Sequence, residues 1–126
     1  MQKSNSKKIL IVDDNPNMSM LLSDILEIFE FQGFHAEDGV DALDKLKTDD
    51  YAMVFTDLRM PKMDGIDLLK AIKNEHPEMP VVVITGYSLG ETQNILLAQK
   101  ADGLLNKPFK VNDIESLLDK LLGYYG

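Results

Sequence analysis

Four short apolar runs in this chain each lead into a residue that can do chemistry. Ile9-Leu10-Ile11-Val12 runs into Asp13-Asp14, and Ala52 to Thr56 runs into Asp57. Pro80 to Thr85 closes on a hydroxyl, and Gly103 to Asn106 runs into Lys107. Brought together, Asp13, Asp14 and Asp57 are three carboxylates. At ~4 Å, two like charges repel by roughly 4 kcal/mol at an effective dielectric of about 20. Three cannot stay ionised in a crevice without counter-charge. A hard divalent cation with oxygen ligands resolves the conflict, and Mg2+ takes one or two carboxylates while leaving positions for phosphate oxygens. Lys107 supplies a further positive charge and Thr85 a hydroxyl donor. That set is the chemistry of phosphoryl transfer, with an aspartate as covalent acceptor.

Singly, each residue has a plainer reading. The Asp pair is a loop able to cap a helix, Asp57 a turn residue before Pro61 and Gly65, Thr85 a β-branched strand residue and Lys107 a solvated strand-end lysine. What distinguishes the pattern is that all fall at the same end of the first, third, fourth and fifth strands. In an open parallel sheet, that end is where ligands bind.

The elements between them fit such a sheet. After the first strand, Asn15-Pro16 is a good helix start, and Met18, Leu21, Leu22, Ile25 and Phe29 follow at helical spacing. Gly33 is expected as the helix stop. Residues 34–37 form a weak strand candidate, and Val40, Leu43 and Leu46 mark a second helix. Ile66, Leu69 and Ile72 mark a third, ending before Pro77, and residues 91–100 a fourth with Ile95, Leu96 and Ala98. The last helix carries Val111, Ile114, Leu117, Leu118, Leu121 and Leu122. Lys110 is a poor cap for it, whereas Asn112 with Glu115 has capping-box spacing. Five strand–helix units predict an α/β fold: a flavodoxin-like, doubly wound (βα)5 three-layer sandwich with a five-stranded parallel sheet.

Composition sets the bounds. At 126 residues the chain is one domain, 1–126, with a polar leader over 1–7. It is 44% hydrophobic and 27% charged, which excludes a disordered or collagen-like chain. No apolar run approaches the ~20 residues of a membrane span. Cysteine is absent, so there is no disulfide, thiolate nucleophile or cysteine metal site. Met1 to Lys8 lacks the apolar core of a signal peptide, which makes the cytoplasm the expected location. The net charge of −8, with Arg59 the only arginine, argues against direct nucleic-acid binding. The acidity suits a soluble monomeric surface or a local cation site, and composition alone does not choose between them.

The chain resembles the receiver domain of bacterial two-component response regulators from Lys8 to Leu122. The resemblance rests on Ile9-Leu10-Ile11-Val12-Asp13-Asp14, Asp57-Leu58-Arg59-Met60-Pro61-Lys62-Met63-Asp64-Gly65, Val83-Ile84-Thr85-Gly86 and Lys107-Pro108-Phe109. It implies that Asp57 is the phosphoacceptor, Asp14 a direct Mg2+ ligand, Asp13 a ligand acting through water, and the Arg59 carbonyl a further ligand. Lys107 would pair with the phosphoryl group and Thr85 would turn its hydroxyl to it, with a cis Lys107-Pro108 bond. The implied partners are a sensor histidine kinase or histidine phosphotransfer protein. An output partner or effector would meet the face formed by the 91–100 helix, the fifth strand and the last helix. Such a domain is a signalling phosphoacceptor rather than an enzyme. Leu104 departs from the family, whose members usually carry Tyr or Phe three residues before the lysine. The switch is then expected to be weaker or to run through the 86–90 loop with Tyr87. Arg59 and Tyr87, two residues beyond Asp57 and Thr85, would hinder water and slow self-dephosphorylation.

Two other readings stand beside this one. A flavin module on the same fold needs a Ser/Thr/Gly-rich loop after the first strand, where this chain offers Asp13-Asp14-Asn15-Pro16. A receiver-like interaction module would signal without phosphate. His35 and His76 read as surface or packing residues with no converging metal partners. The methionines read as core filling, and Gly123 to Gly126 as a frayed tail or the edge of a longer chain.

Overall fold

Continuous apolar runs along the central strands build a sheet with two buried faces. The structure, a computed structural model, describes residues 7–58, 60, 62–86, 95 and 100–123. Strands β1 (Lys8–Val12), β2 (Gln32–Ala36), β3 (Met53–Asp57), β4 (Val81–Thr85) and β5 (Gly103–Asn106) pair in parallel in the order β2-β1-β3-β4-β5. Helices α1 (Pro16–Ile28), α2 (Gly39–Thr48), α3 (Gly65–Glu75) and α4 (Val111–Leu122) complete the elements among the described residues. The expected 91–100 helix lies outside them, except for Ile95, which is helical and exposed, and Lys100.

Successive side chains of a strand point to opposite faces. Ile9, Ile11, Met53, Phe55, Val82, Ile84 and Leu105 pack on one side with Leu22, Ile25 and Leu26 of α1 and Ile114 and Leu118 of α4. Leu10, Val12, Val54, Val81 and Val83 pack on the other with Ala42 and Leu46 of α2 and Leu68, Leu69 and Ile72 of α3. Burying each large aliphatic side chain contributes about 1.5–3 kcal/mol. Both faces of the central strands are therefore needed, which is why β4 reads as an unbroken Val-Val-Val-Ile run. This is the doubly wound sandwich expected from the sequence.

Several local expectations change. Helix α1 starts as expected, with Asn15 accepting from the Asn17 N–H at 3.0 Å and Pro16 in the first turn. Its left-handed residue, however, is Glu30, at φ 67°, and Gly33 lies inside β2. Gly33 is needed there for closeness, because a Cβ would sit 2.8 Å from Ser23 Oγ and 3.0 Å from the Ser23 Cα of α1. Strand β2 thus begins two residues earlier than the 34–37 expectation. On α2 the inward stripe is Gly39, Ala42 and Leu46, while Val40 is exposed. Asp38 caps that helix by accepting from the Asp41 N–H at 2.8 Å, while Leu43 packs partly buried against the same core as Leu46. Helix α4 starts at Val111, before Asn112 can cap it. Asp113 instead reaches back to accept from the Lys110 N–H at 2.8 Å.

Candidate functional site

The order β2-β1-β3 makes β1 and β3 neighbours, and the sheet reverses its winding between them. A crevice opens there beyond the carboxyl ends of the strands. Val12 pairs with Thr56 and Ile84 with Asp57, so Asp13 and Asp57 project at adjacent strand ends. One carboxylate oxygen each from Asp13, Asp14 and Asp57 lies within 4.8 Å of the others. Asp13 is fully buried, Asp57 half-buried and Asp14 exposed.

Asp13 is the most constrained of the three. Its N–H donates to Ala36 O at 3.2 Å, extending the β1–β2 ladder by one rung. Its Oδ1 accepts from the Asn15 N–H at 2.8 Å, while its Oδ2 is buried with no partner among the described residues. Burial, reinforced by Asp57 and Asp14, raises the Asp13 carboxyl above its ordinary value. The Asn15 N–H and Lys107 oppose the shift without cancelling it. A buried carboxylate oxygen without a donor, facing two further carboxylates, is a position that a hard cation would satisfy.

Lys107 follows β5. Its N–H donates to Thr85 O at 2.9 Å, and its Nζ stands 3.5 Å from Asp57 Oδ2. The Lys107-Pro108 bond is cis, as the resemblance implied. Thr85 is buried at the end of β4, on the same edge, one residue past the rung that pairs Ile84 with Asp57. The structure therefore gathers the Asp13, Asp14, Asp57 and Lys107 side chains and sets Thr85 at the adjoining strand end. Arg59 and Tyr87 lie outside the described residues. Leu104, opposite Val83 in the β4–β5 ladder, is partly buried and packs against the α2–α3 side of the core.

Sequence comparison agrees with this geometry: the family model of the response regulator receiver domain matches residues 9–119. The chain belongs to the response regulator receiver domain family. It is 35% identical over 116 residues to the nitrogen assimilation regulatory protein NtrX of Azorhizobium caulinodans, covering 90% of this chain and 26% of that protein. It is 34% identical over 115 residues to the DNA-binding transcriptional regulator NtrC of Klebsiella pneumoniae, covering 91% of this chain and 24% of that protein. The chain thus spans about a quarter of the length of these curated relatives. Among solved structures, the receiver domain of NtrX from Brucella abortus is 31% identical with a TM-score of 0.86, covering 93% of this chain and 99% of that one. No helix among the described residues is long and apolar enough to cross a membrane.

Three residues around the acid cluster also have contacts that sequence reasoning did not assign to them. Gly65 is required because a Cβ would lie 2.5 Å from Asp57 O and 2.8 Å from Leu58 Cα. Its N–H donates to Leu58 O at 2.8 Å, closing the loop after Asp57. Lys62, at φ 69°, reaches Asp38 Oδ2 at 3.4 Å and ties that loop to the start of α2. The Asp41 N–H, with a smaller contribution from Lys62, holds the Asp38 carboxyl below its usual range. His35, read from the sequence as a surface or packing residue, is exposed, yet its Nε2 lies 2.8 Å from Asp13 O. The signal for it was register: parallel pairing of the first two strands sets His35 level with Ile11, two residues from Asp13.

Proposed function

We propose that this receiver domain takes a phosphoryl group on Asp57 from a phosphohistidine of a sensor histidine kinase or histidine phosphotransfer protein, with Mg2+ as cofactor. The observation that carries the reading is the partnerless Oδ2 of buried Asp13 beside the Asp14 and Asp57 carboxylates, with the Lys107 ammonium 3.5 Å from Asp57. Asp13, Asp14, Asp57 and the Arg59 backbone carbonyl would hold the ion. When bound, it neutralises the acids and withdraws charge from the phosphoryl oxygens. An Asp57 carboxylate oxygen forms the new O–P bond as the P–N bond to the donor imidazole breaks. The bond pair leaves on the imidazole nitrogen, which takes up a proton. The Lys107 ammonium pairs with a phosphoryl oxygen and the Thr85 hydroxyl donates to another.

The chain is then a signalling phosphoacceptor that assists its own phosphorylation and dephosphorylation, not an enzyme acting on other molecules. Its output surface is the 91–100 segment with β5 and α4, where a partner or effector reads the phosphorylated state. The DNA-binding activity in the name of NtrC belongs to that longer protein. A second reading, an interaction module that signals without phosphate, is favoured by one observation: Leu104 packs, partly buried, against the core where the family usually carries a ring. The test is treatment with a small-molecule phosphodonor and Mg2+, followed by intact mass measurement. The mass should rise by one phosphoryl group in the wild type and not in Asp57→Asn. No gain, or a gain that persists in Asp57→Asn, overturns the proposal.

A further inference from the structure

His35 sits at the rim of the acid cluster without belonging to it. The β1–β2 ladder ends where the Asp13 N–H donates to Ala36 O. Beyond that rung the chain leaves β2 for Glu37 and the Asp38 cap of α2. Among the described residues, no backbone N–H reaches the Asp13 carbonyl. The partner it meets is His35 Nε2, at 2.8 Å. A carbonyl oxygen only accepts, so Nε2 carries the hydrogen and the imidazole is the donor.

This oxygen lies in the peptide plane that joins the α-carbons of Asp13 and Asp14, and a peptide unit turns as a rigid plate. Holding it sets how the two carboxylates face each other. On the far side of Asp13, the Asn15 N–H holds Oδ1 at 2.8 Å. Asp13 is thus held at two points, one on its side chain and one on its main chain.

We propose that His35 is a positioning residue for the cation site, acting through the Asp13 carbonyl to preset Asp13 and Asp14 for a divalent ion. The inference rests on the reading of the acid cluster as a Mg2+ site. Its donor comes from the edge strand, outside the ligand set.

The experiment titrates Mg2+ alone into the whole chain by calorimetry, for wild type, His35→Phe and His35→Gln. Phe keeps a planar ring and removes the donor, whereas Gln restores an N–H. Loss of one net hydrogen bond corresponds to about a fivefold weaker affinity for His35→Phe. His35→Gln should recover to within about twofold of wild type. Losing that hydrogen bond alone should lower the melting temperature of His35→Phe in chelator by no more than about 4 °C, so a larger drop would mark general loss of structure rather than positioning. Wild-type affinity in His35→Phe overturns the proposal. So does weakness shared equally by Phe and Gln, or a melting temperature of His35→Phe lowered by more than about 4 °C in chelator. A wild-type chain that fails to bind Mg2+ removes the reading of the acid cluster, and this inference with it.

Discussion

Replacing Asp13 by Asn should stabilise the metal-free chain while removing its response to Mg2+. Asp13 is fully buried, and its carboxylate shares a 4.8 Å circle with Asp14 and Asp57. Two unit charges at that separation of 4.8 Å repel by about 3.5 kcal/mol at an effective dielectric near 20. Asp14 is exposed, so water screens its share. Lys107 offsets part of the Asp57 charge from 3.5 Å. The amide keeps the oxygen that accepts from Asn15 and places an N–H where Oδ2 has no partner. A net gain of about 2 kcal/mol follows. For a chain of this size that is a rise of roughly 8 °C in melting temperature. The assay is thermal unfolding by circular dichroism in chelator at pH 7, repeated with Mg2+.

The pH dependence has a definite sign. Burial, ahead of Asp57 and Asp14, raises the folded carboxyl above 3.8. The folded chain therefore holds this proton more tightly than the unfolded chain does. The penalty is absent below 3.8, grows as pH rises through the gap and is complete above the raised folded value. The advantage of Asp13→Asn should accordingly grow as pH rises above 3.8 and vanish on acidification below it. With Mg2+ the wild type should melt higher and the variant should not respond. A variant that melts at or below wild type in chelator, or an advantage that survives acidification, refutes the electrostatic account.

Two other substitutions probe the scaffold. Gly65→Ala puts a methyl 2.5 Å from Asp57 O, against backbone that has nowhere to go. It should cost about 3 kcal/mol and lower the melting temperature by roughly 12 °C, and a change within about 3 °C would show the loop to be pliable. Asp102→Ala removes the acceptor shared by the Lys73 Nζ at 2.6 Å and the Val81 N–H at 2.8 Å. Because the pair is only partly buried, urea unfolding should show a loss of about 2 kcal/mol, below the ~3–5 kcal/mol of a fully buried pair. A loss under about 0.5 kcal/mol would mean that water replaces the carboxylate.

Much of this molecule could be read along the chain because its signals are local. A short apolar run, a β-branched run and an Asn-Pro start each involve a few neighbouring residues, and they placed β1, β4, α1 and the polar strand ends. Local rules went astray where a distant contact decided the outcome. Gly33 looked like a helix stop, yet the close approach of α1 to β2 claims it, and Glu30 takes the left-handed turn. Val40 shares the helical spacing of Leu43 and Leu46, yet it is exposed in the first turn of α2.

The residue types at the strand ends were legible in the sequence, and with them the kind of chemistry. Their convergence was decided by the sheet order β2-β1-β3-β4-β5, which sets Asp13 beside Asp57 across 44 positions of chain. The His35 contact, the partnerless Asp13 oxygen and the need for Gly65 have the same origin. Each depends on strand register and the close return of a loop, which no window of neighbouring residues contains.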